Sequence, residues 1–379
     1  MARIKQRRVF YLHGFDPRGA GHYHRLYQSQ SALQASTNGL HIEVSGRQRG
    51  RDHAHHWQLN TEHTRTRYSY LGWDDIVRRH WARGWLEILS DLVCFIQAYL
   101  LSGRFIAFAK ASPKQLMAGT YPALYLLLSL LLSLWLATGL AGQLPWQGAQ
   151  LPAGLVLTAA LMHTSKYLGN KLAVFWLLRI YAFSARWARG RIPELTPRIN
   201  TFARHMAEAI NDEANDEVVI IAHSVGTMMV IPALAQALQQ IQDPAKLANQ
   251  RVVLITLGHC IPLVSFHHAA GDFRAALRQL GQHKQLLWLD YTAPTDGACF
   301  PLLNPVTSCG QICAPDAGPR MLSPRFFTLY HPTHYKKLRR AWYTMHFLYL
   351  MATDKPGPYD FFAFTAGPDA IACQLKEHT

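Results

Sequence analysis

EVVIIAHSVGTMMVIPALAQALQ, residues 217–239, begins as a short apolar run and ends as a longer apolar stretch, with Ala-His-Ser-Val-Gly between them. The run Glu217–Ala222 is rich in β-branched residues and reads as a buried strand, and Gly226–Gln239 has the length and composition of a helix. Small residues at Ala222 and Gly226 let a sharp strand-to-helix turn close. That turn forces Ser224 to its apex with Oγ exposed, while the start of the helix offers N–H dipoles to a developing oxyanion. An ordinary serine N-cap fits the same position. The combination of strand, tight turn and helix favours a nucleophile.

Working outward, Arg8–His13 (RVFYLH) reads as a second buried strand, stopped at Gly14. A helix is expected over 18–35, strands near 40–45 and 66–73, and an amphipathic helix over 85–109. Downstream, 195–211 reads as a helix, and 251–257 (RVVLITL) and 285–291 (QLLWLDY) as strands. A loop runs to about 324, followed by a helix over 333–351 and a last strand over 361–365. Alternating strands and helices predict an α/β fold with a mainly parallel sheet flanked by helices.

Charge divides the chain. Lys and Arg number 38 against 23 Asp and Glu, a formal charge of +15, yet only 16% of residues are charged and 49% are hydrophobic. From Gln115 to Ser165 there is no Asp, Glu, Lys or Arg. Tyr121–Gly142, as a helix at about 1.5 Å per residue, spans roughly 33 Å, enough for a bilayer core. After the uncharged turn QLPWQGAQLP, a second crossing is expected over 153–183, interrupted by Lys166 and Lys171. Arg104, Lys110 and Lys114 precede this hairpin, and Arg179, Arg186, Arg189 and Arg191 lie at or beyond its return end. The positive-inside rule then puts both flanks in the cytoplasm of a bacterial-type inner membrane, with the short turn outside. The expected domains are 1–114, the 115–185 transmembrane hairpin insertion, and 186–379. The lipid bilayer is the expected partner. No secretory signal opens the chain, and six scattered Cys do not form the dense framework of a small secreted domain.

The elbow VVIIAHSVG, the earlier YLHGF, the strand VLITLG at 252–258 and the segment WLDYTAPTDGACF together resemble the α/β-hydrolase superfamily, specifically its lipase- and esterase-like serine hydrolases. The likeness covers most of 8–100 and 200–365 and excludes the hairpin. It implies an acid after a late strand and a histidine beyond it, in the order Ser, Asp, His. Asp296, just past QLLWLDY, is favoured over Asp290 inside that strand. For the histidine, His331, His334, His346 and His378 are available, and His346 is preferred because Tyr349 completes a His-x-x-Tyr pattern found in several such hydrolases. The oxyanion donors implied are the N–H groups of Phe15 and Val225, with His13, Gly14 and His223 at the substrate or bracing the loop.

Other constellations are weaker. His53-Ala54-His55-His56, with His63 and His80, lacks metal-ligand spacing and reads as a polar loop, and Cys309 and Cys313 are not two residues apart. Trp73-Asp74-Asp75 either lines the site or caps the next helix. The basic run 186–191 beside the hairpin suits anionic headgroups better than nucleic acid. The expected function is therefore a membrane-anchored serine hydrolase acting on an acyl ester or lipid through a Ser224-His346-Asp296 triad, with neither metal nor other cofactor. The alternatives are a non-catalytic binding protein on the same scaffold and an acyltransferase.

Overall fold

A computed structural model describes residues 3–81, 83–241, 243, 245, 247 and 251–374. They divide into two compact units, one made of the segments up to Arg79 and from Trp187 onward, the other running from His80 to Arg186. The boundary at 79/80 assigns the expected helix of 85–109 to the second unit rather than to the N-terminal half of the first.

The first unit is an α/β layered domain with a nine-stranded sheet. Its strands are β1 (Gln6–Leu12), β2 (Glu43–Val44), β3 (Gln48–Arg49), β4 (Ala54–Asn60), β5 (Arg65–Leu71), β6 (Glu217–His223), β7 (Val252–Leu257), β8 (Leu286–Tyr291) and β9 (Pro319–Leu322). The order is β2-β4-β5-β1-β6-β7-β8-β9, with β3 on β4. From β5 to β9 every pairing is parallel, and β2, β3 and β4 add an antiparallel end. Residues of β6, β7 and β8 are buried throughout, which explains their unbroken apolar sequences. At the opposite end of β1 from the elbow, buried Arg7 pairs with Glu217 at 2.7 Å and donates to the carbonyls of Gly367 and Asp369, tying the C-terminal segment to the sheet.

Several local expectations change. Residues 54–60 form a strand rather than a solvated loop: Trp57 and Leu59 face the core while Gln58 faces out, a two-residue period hidden by the preceding histidines. Residues 361–366 form a helix, not a strand, because Asp360 Oδ1 accepts from the backbone N–H groups of Phe362 and Ala363 and caps it. The helix expected over 333–351 is broken into Pro332–Leu338, Trp342–Phe347 and a short 3-10 turn, Leu348–Leu350.

The second unit is helical. Its expected amphipathic helix consists of Trp85–Phe95, a π turn at Ile96–Leu100 and Arg104–Ala111, with Gly103 at φ +69° at the break. Pro113–Ala141 is the one helix among the described residues that is by itself long and apolar enough to cross a bilayer, and only 17% of its most apolar window is buried. The bent pair Trp85–Leu100 and Arg104–Ala111, 78° apart, reaches that length and composition only jointly. Gln147–Lys171 lies antiparallel to Pro113–Ala141: Tyr125 donates to the Ser165 carbonyl at 2.7 Å, Ser165 Oγ lies 2.7 Å from Ser129 Oγ, and Gly154 meets Ala141. The span expected over 153–183 is not one helix. It stops at Lys171, Ala173 takes φ +54°, and Val174–Ala188 is a separate helix with Val174, Leu178 and Ala182 buried inside the unit.

Three fully buried histidines of the first unit weaken it in acid, against the opposite contribution of buried Asp290, which is pushed up to about 8. Burial lowers His13 to about 4, His223 to about 3 and His259 to about 4. Below the ordinary histidine value the unfolded chain takes up protons that the folded one refuses, so their contribution is intact near neutrality and is lost as pH falls from about 6.5 toward 3. Thermal melts between pH 7.5 and 4 are expected to show falling stability over that window, with a shallower slope in His223→Gln, which keeps a donor for the His346 carbonyl but cannot titrate.

Candidate active site

The residues singled out around the elbow all follow the carboxyl ends of neighbouring parallel strands, where helix starts converge and open α/β sheets place their ligands. β1 delivers His13, Gly14 and Phe15; β6 delivers Ser224; β7 delivers Gly258 and Cys260; β8 leads to Asp296. Ser224 adopts φ +56°, a left-handed conformation costly for a residue with a Cβ. The turn is held by Ser224 N–H donating to the Leu257 carbonyl at 2.9 Å, and Thr227 Oγ1 donates to the Ser224 carbonyl. Gly226 is required by contact, since a Cβ there would lie 2.5 Å from the carbonyl oxygens of both Leu12 and His13. Gly14 is required on the other side, because its Cβ would lie 2.8 Å from Ser224 Cβ. The HGF loop and the elbow are therefore packed backbone to backbone. Phe15 follows Gly14, and Val225 opens the first turn of helix Gly226–Gln239, so the two expected oxyanion donors belong to the pair of segments that meet here.

Asp296 and His346, 50 residues apart, are brought together. His346 Nδ1 lies 2.9 Å from Asp296 Oδ2, with both side chains buried. Tyr349 donates to the same oxygen at 3.1 Å, and the Ala298 N–H donates to Asp296 Oδ1 at 2.9 Å. Burial alone would raise the Asp296 carboxyl, but the charge and hydrogen bond of His346 and the Ala298 N–H hold it below its usual value. Asp296 is therefore ionised near neutrality, and it orients the imidazole with Nδ1–H toward it. His346 Nε2 is buried without a hydrogen-bond partner, and Ser224 Oγ lies 3.9 Å from Cys260 Sγ instead. Ser224 is 3% exposed.

The rival residues fall elsewhere. His334 Nδ1 pairs with Asp354 at 2.9 Å, and the His331 N–H donates to the same carboxylate, both in exposed positions. His378 lies outside the described residues. Asp290 stays within β8, accepting from Thr256 at 2.6 Å, and burial pushes it up to about 8. His13 and His223 are fully buried and do not line an open surface. His13 stacks between Tyr70 and Trp73, whose Nε1 donates to the His13 carbonyl at 2.9 Å; His223 Nε2 meets the His346 carbonyl at 2.8 Å. Both thus brace the segments that carry Phe15, Ser224 and His346. Asp74 and Asp75 sit in the first turn of helix Asp74–Arg79. Among the described residues no group of three or more His, Cys, Asp or Glu side chains is placed to hold a metal ion.

Sequence reading missed two neighbours. Gly258 sits at φ +54°, and a Cβ on it would come within 3.0 Å of Tyr349, 3.2 Å of Asp296 Oδ2 and 3.4 Å of His346. The glycine ending VLITLG was the available signal. Cys260, two residues on, carries a thiol that burial pushes up to about 12, so it is neutral beside Ser224. No family model, curated protein or solved structure matches the chain.

Gly258→Ala is expected to strain a left-handed residue and press on the Asp296–His346 pair. The loss should be roughly 1–3 kcal/mol of stability, read as a lowered unfolding midpoint, with Gly271→Ala, where a Cβ meets open space, as the unaffected control.

Proposed function

We propose that this chain is a membrane-anchored serine hydrolase of α/β-hydrolase type that cleaves an acyl ester, including a lipid ester, through an acyl-enzyme on Ser224. One observation carries the reading: the buried 2.9 Å Asp296–His346 pair stands in the same strand-end cluster as a serine held at φ +56° at the head of a helix. In this mechanism Ser224 Oγ leaves the side of Cys260 and reaches His346 Nε2, which takes its proton as Oγ attacks the ester carbonyl. Phe15 and Val225 N–H groups receive the oxyanion, and the imidazolium, held by Asp296, returns the proton to the departing alkoxide. Water then attacks the acyl-serine with His346 as base, releasing the acid and restoring the hydroxyl.

The anchor in this reading is the hairpin of Pro113–Ala141 and Gln147–Lys171. Its support is the exposed apolar side of the first helix, including Leu127, Leu128, Leu131, Leu132 and Trp135, together with the basic residues on both flanks of the hairpin. Gln147–Lys171 is the weaker crossing, since its last turns carry Lys166 and Lys171, and Lys166 Nζ donates to the Arg83 carbonyl at 2.8 Å. The near-complete burial of Ser224 and its missing bond to His346 favour a second reading, a scaffold that binds without catalysis.

Fluorophosphonate labelling separates the two readings. Wild-type protein is expected to label and Ser224→Ala to lose the label; a wild-type chain that stays unlabelled belongs to the second reading. Asp296→Asn should lower kcat by ~10³-fold or more, because the imidazole loses the partner that fixes its tautomer. Alkaline carbonate extraction is expected to leave the full chain in the membrane pellet, and recovery in the supernatant would refute the anchor.

A further inference from the structure

At the antiparallel end of the sheet lies a cleft of about 510 Å³, walled by Arg47, Arg49, His53 and His55 on one side and by Asp74, Asp75 and Arg78 on the other. Its carboxylates are already engaged. Asp74 accepts from Arg78, and Asp75 is paired with Arg198 at 2.8 Å and with Arg79 at 3.4 Å. Arg47 and Arg49 have no carboxylate partner among the described residues. Arg47 Nη1 instead lies 3.0 Å from His55 Nδ1, a guanidinium donating to an imidazole. Burial, and after it the charge of Arg47, holds His55 below its usual pKa. With Asp74 and Asp75 paired to Arg78, Arg79 and Arg198, the guanidiniums of Arg47 and Arg49 face the cleft without a paired carboxylate, and an anion entering it relieves their repulsion.

The cluster is built on anchored backbone. In the tight turn joining β3 to β4, Asp52 and His53 take φ +55° and +62°; the Gly50 N–H donates to the Ala54 carbonyl at 2.9 Å, and the Gly72 N–H to the His53 carbonyl at 3.2 Å. The far wall is joined to the loop that carries Phe15. Arg78 Nη1 donates to the Pro17 carbonyl at 2.9 Å, and a Cβ on Gly19 would lie 3.0 Å from Asp74 Oδ2. The start of that same loop, Gly14, touches Ser224. One short loop therefore has the proposed nucleophile at its first residue and the basic cleft at its last.

We propose that this cleft binds the phosphate of an anionic ester substrate whose acyl group is presented to Ser224. Guanidinium forks match phosphate oxygens two at a time, so Arg47 and Arg49 are the recognising groups and Arg78 fixes the wall. The inference rests on the reading of Ser224 as the nucleophile and narrows its substrates to esters bearing a phosphate.

The test uses the full chain in neutral detergent micelles and two readouts. Inorganic phosphate is expected to raise the melting temperature of the wild type but not that of Arg47→Gln/Arg49→Gln. The ratio of kcat/KM for a monoacyl glycerol phosphate to that for the uncharged monoacylglycerol should fall about tenfold or more in the double variant. It should recover in part in Arg47→Lys/Arg49→Lys, which keeps the charge without the fork. Should the double variant unfold, each single Gln variant is expected to give a smaller loss in the same direction. No phosphate shift in the wild type overturns the proposal. A shift with an unchanged substrate ratio assigns the cleft to free phosphate and overturns its substrate role. A shift abolished by the Gln variants in a chain that no fluorophosphonate labels overturns the reading of Ser224 instead, leaving a phosphate site with no hydrolase.

Discussion

The site depends on one steric constraint, the contact of two backbones at the carboxyl ends of β1 and β6. Gly226 faces the carbonyls of Leu12 and His13, and Gly14 faces Ser224, at separations that no Cβ tolerates. The two parallel strands are in register up to Leu12 and Ala222, so the segments leaving them emerge side by side. Close approach then sets the rest: it positions Phe15 beside the elbow and obliges Ser224 to take a left-handed backbone. Strain of roughly 1–3 kcal/mol at such a residue persists only where its surroundings over-determine it. Here the surroundings are the fully buried strands β6, β7 and β8, which cannot yield without opening the core.

Beside this contact the buried Asp296 carboxylate is matched in sign and geometry. Asp296 receives Tyr349, the Ala298 N–H and His346, enough to keep a fully buried carboxylate charged. Asp290, six residues earlier, is equally buried and accepts from Thr256, and burial there pushes its pKa upward. The same residue type thus exists in two states within one stretch of chain, and local donors decide between them. His13 and His223 are held uncharged by burial, which suits rings that stack and brace.

The helical unit has a different logic. Its longest helix leaves a leucine-rich surface uncovered, while Val174–Ala188 turns its apolar residues inward. Two stretches of similar hydropathy are therefore used in opposite ways. Ala173, whose left-handed backbone follows the end of Gln147–Lys171, lets Val174–Ala188 take its own direction.

The parallel sheet, the elbow and the charge-free segment were legible in the sequence because each is written in local periodicity: unbroken apolar strands, small residues around Ser224, and 22 uncharged residues at 121–142. Strand β4 was hidden because histidines mask its alternation, and helix Phe361–Ala366 because its identity rests on the Asp360 cap rather than on its own residues. Twenty histidines could not be ranked by spacing alone, although the Tyr three residues after His346 singled out the one that pairs with Asp296. Sequence by itself determined the parallel strands β1, β5, β6, β7 and β8 and where the turn at Ser224 falls, since these follow from nearest-neighbour sterics and burial period. Only tertiary structure decided that His346 rather than His334 meets Asp296, that His13 and His223 are sealed in the core, and that Arg47 and Arg49 face Arg78 across a cleft. Those relations join residues far apart in the chain, and their energies depend on burial and distance, which no local pattern encodes.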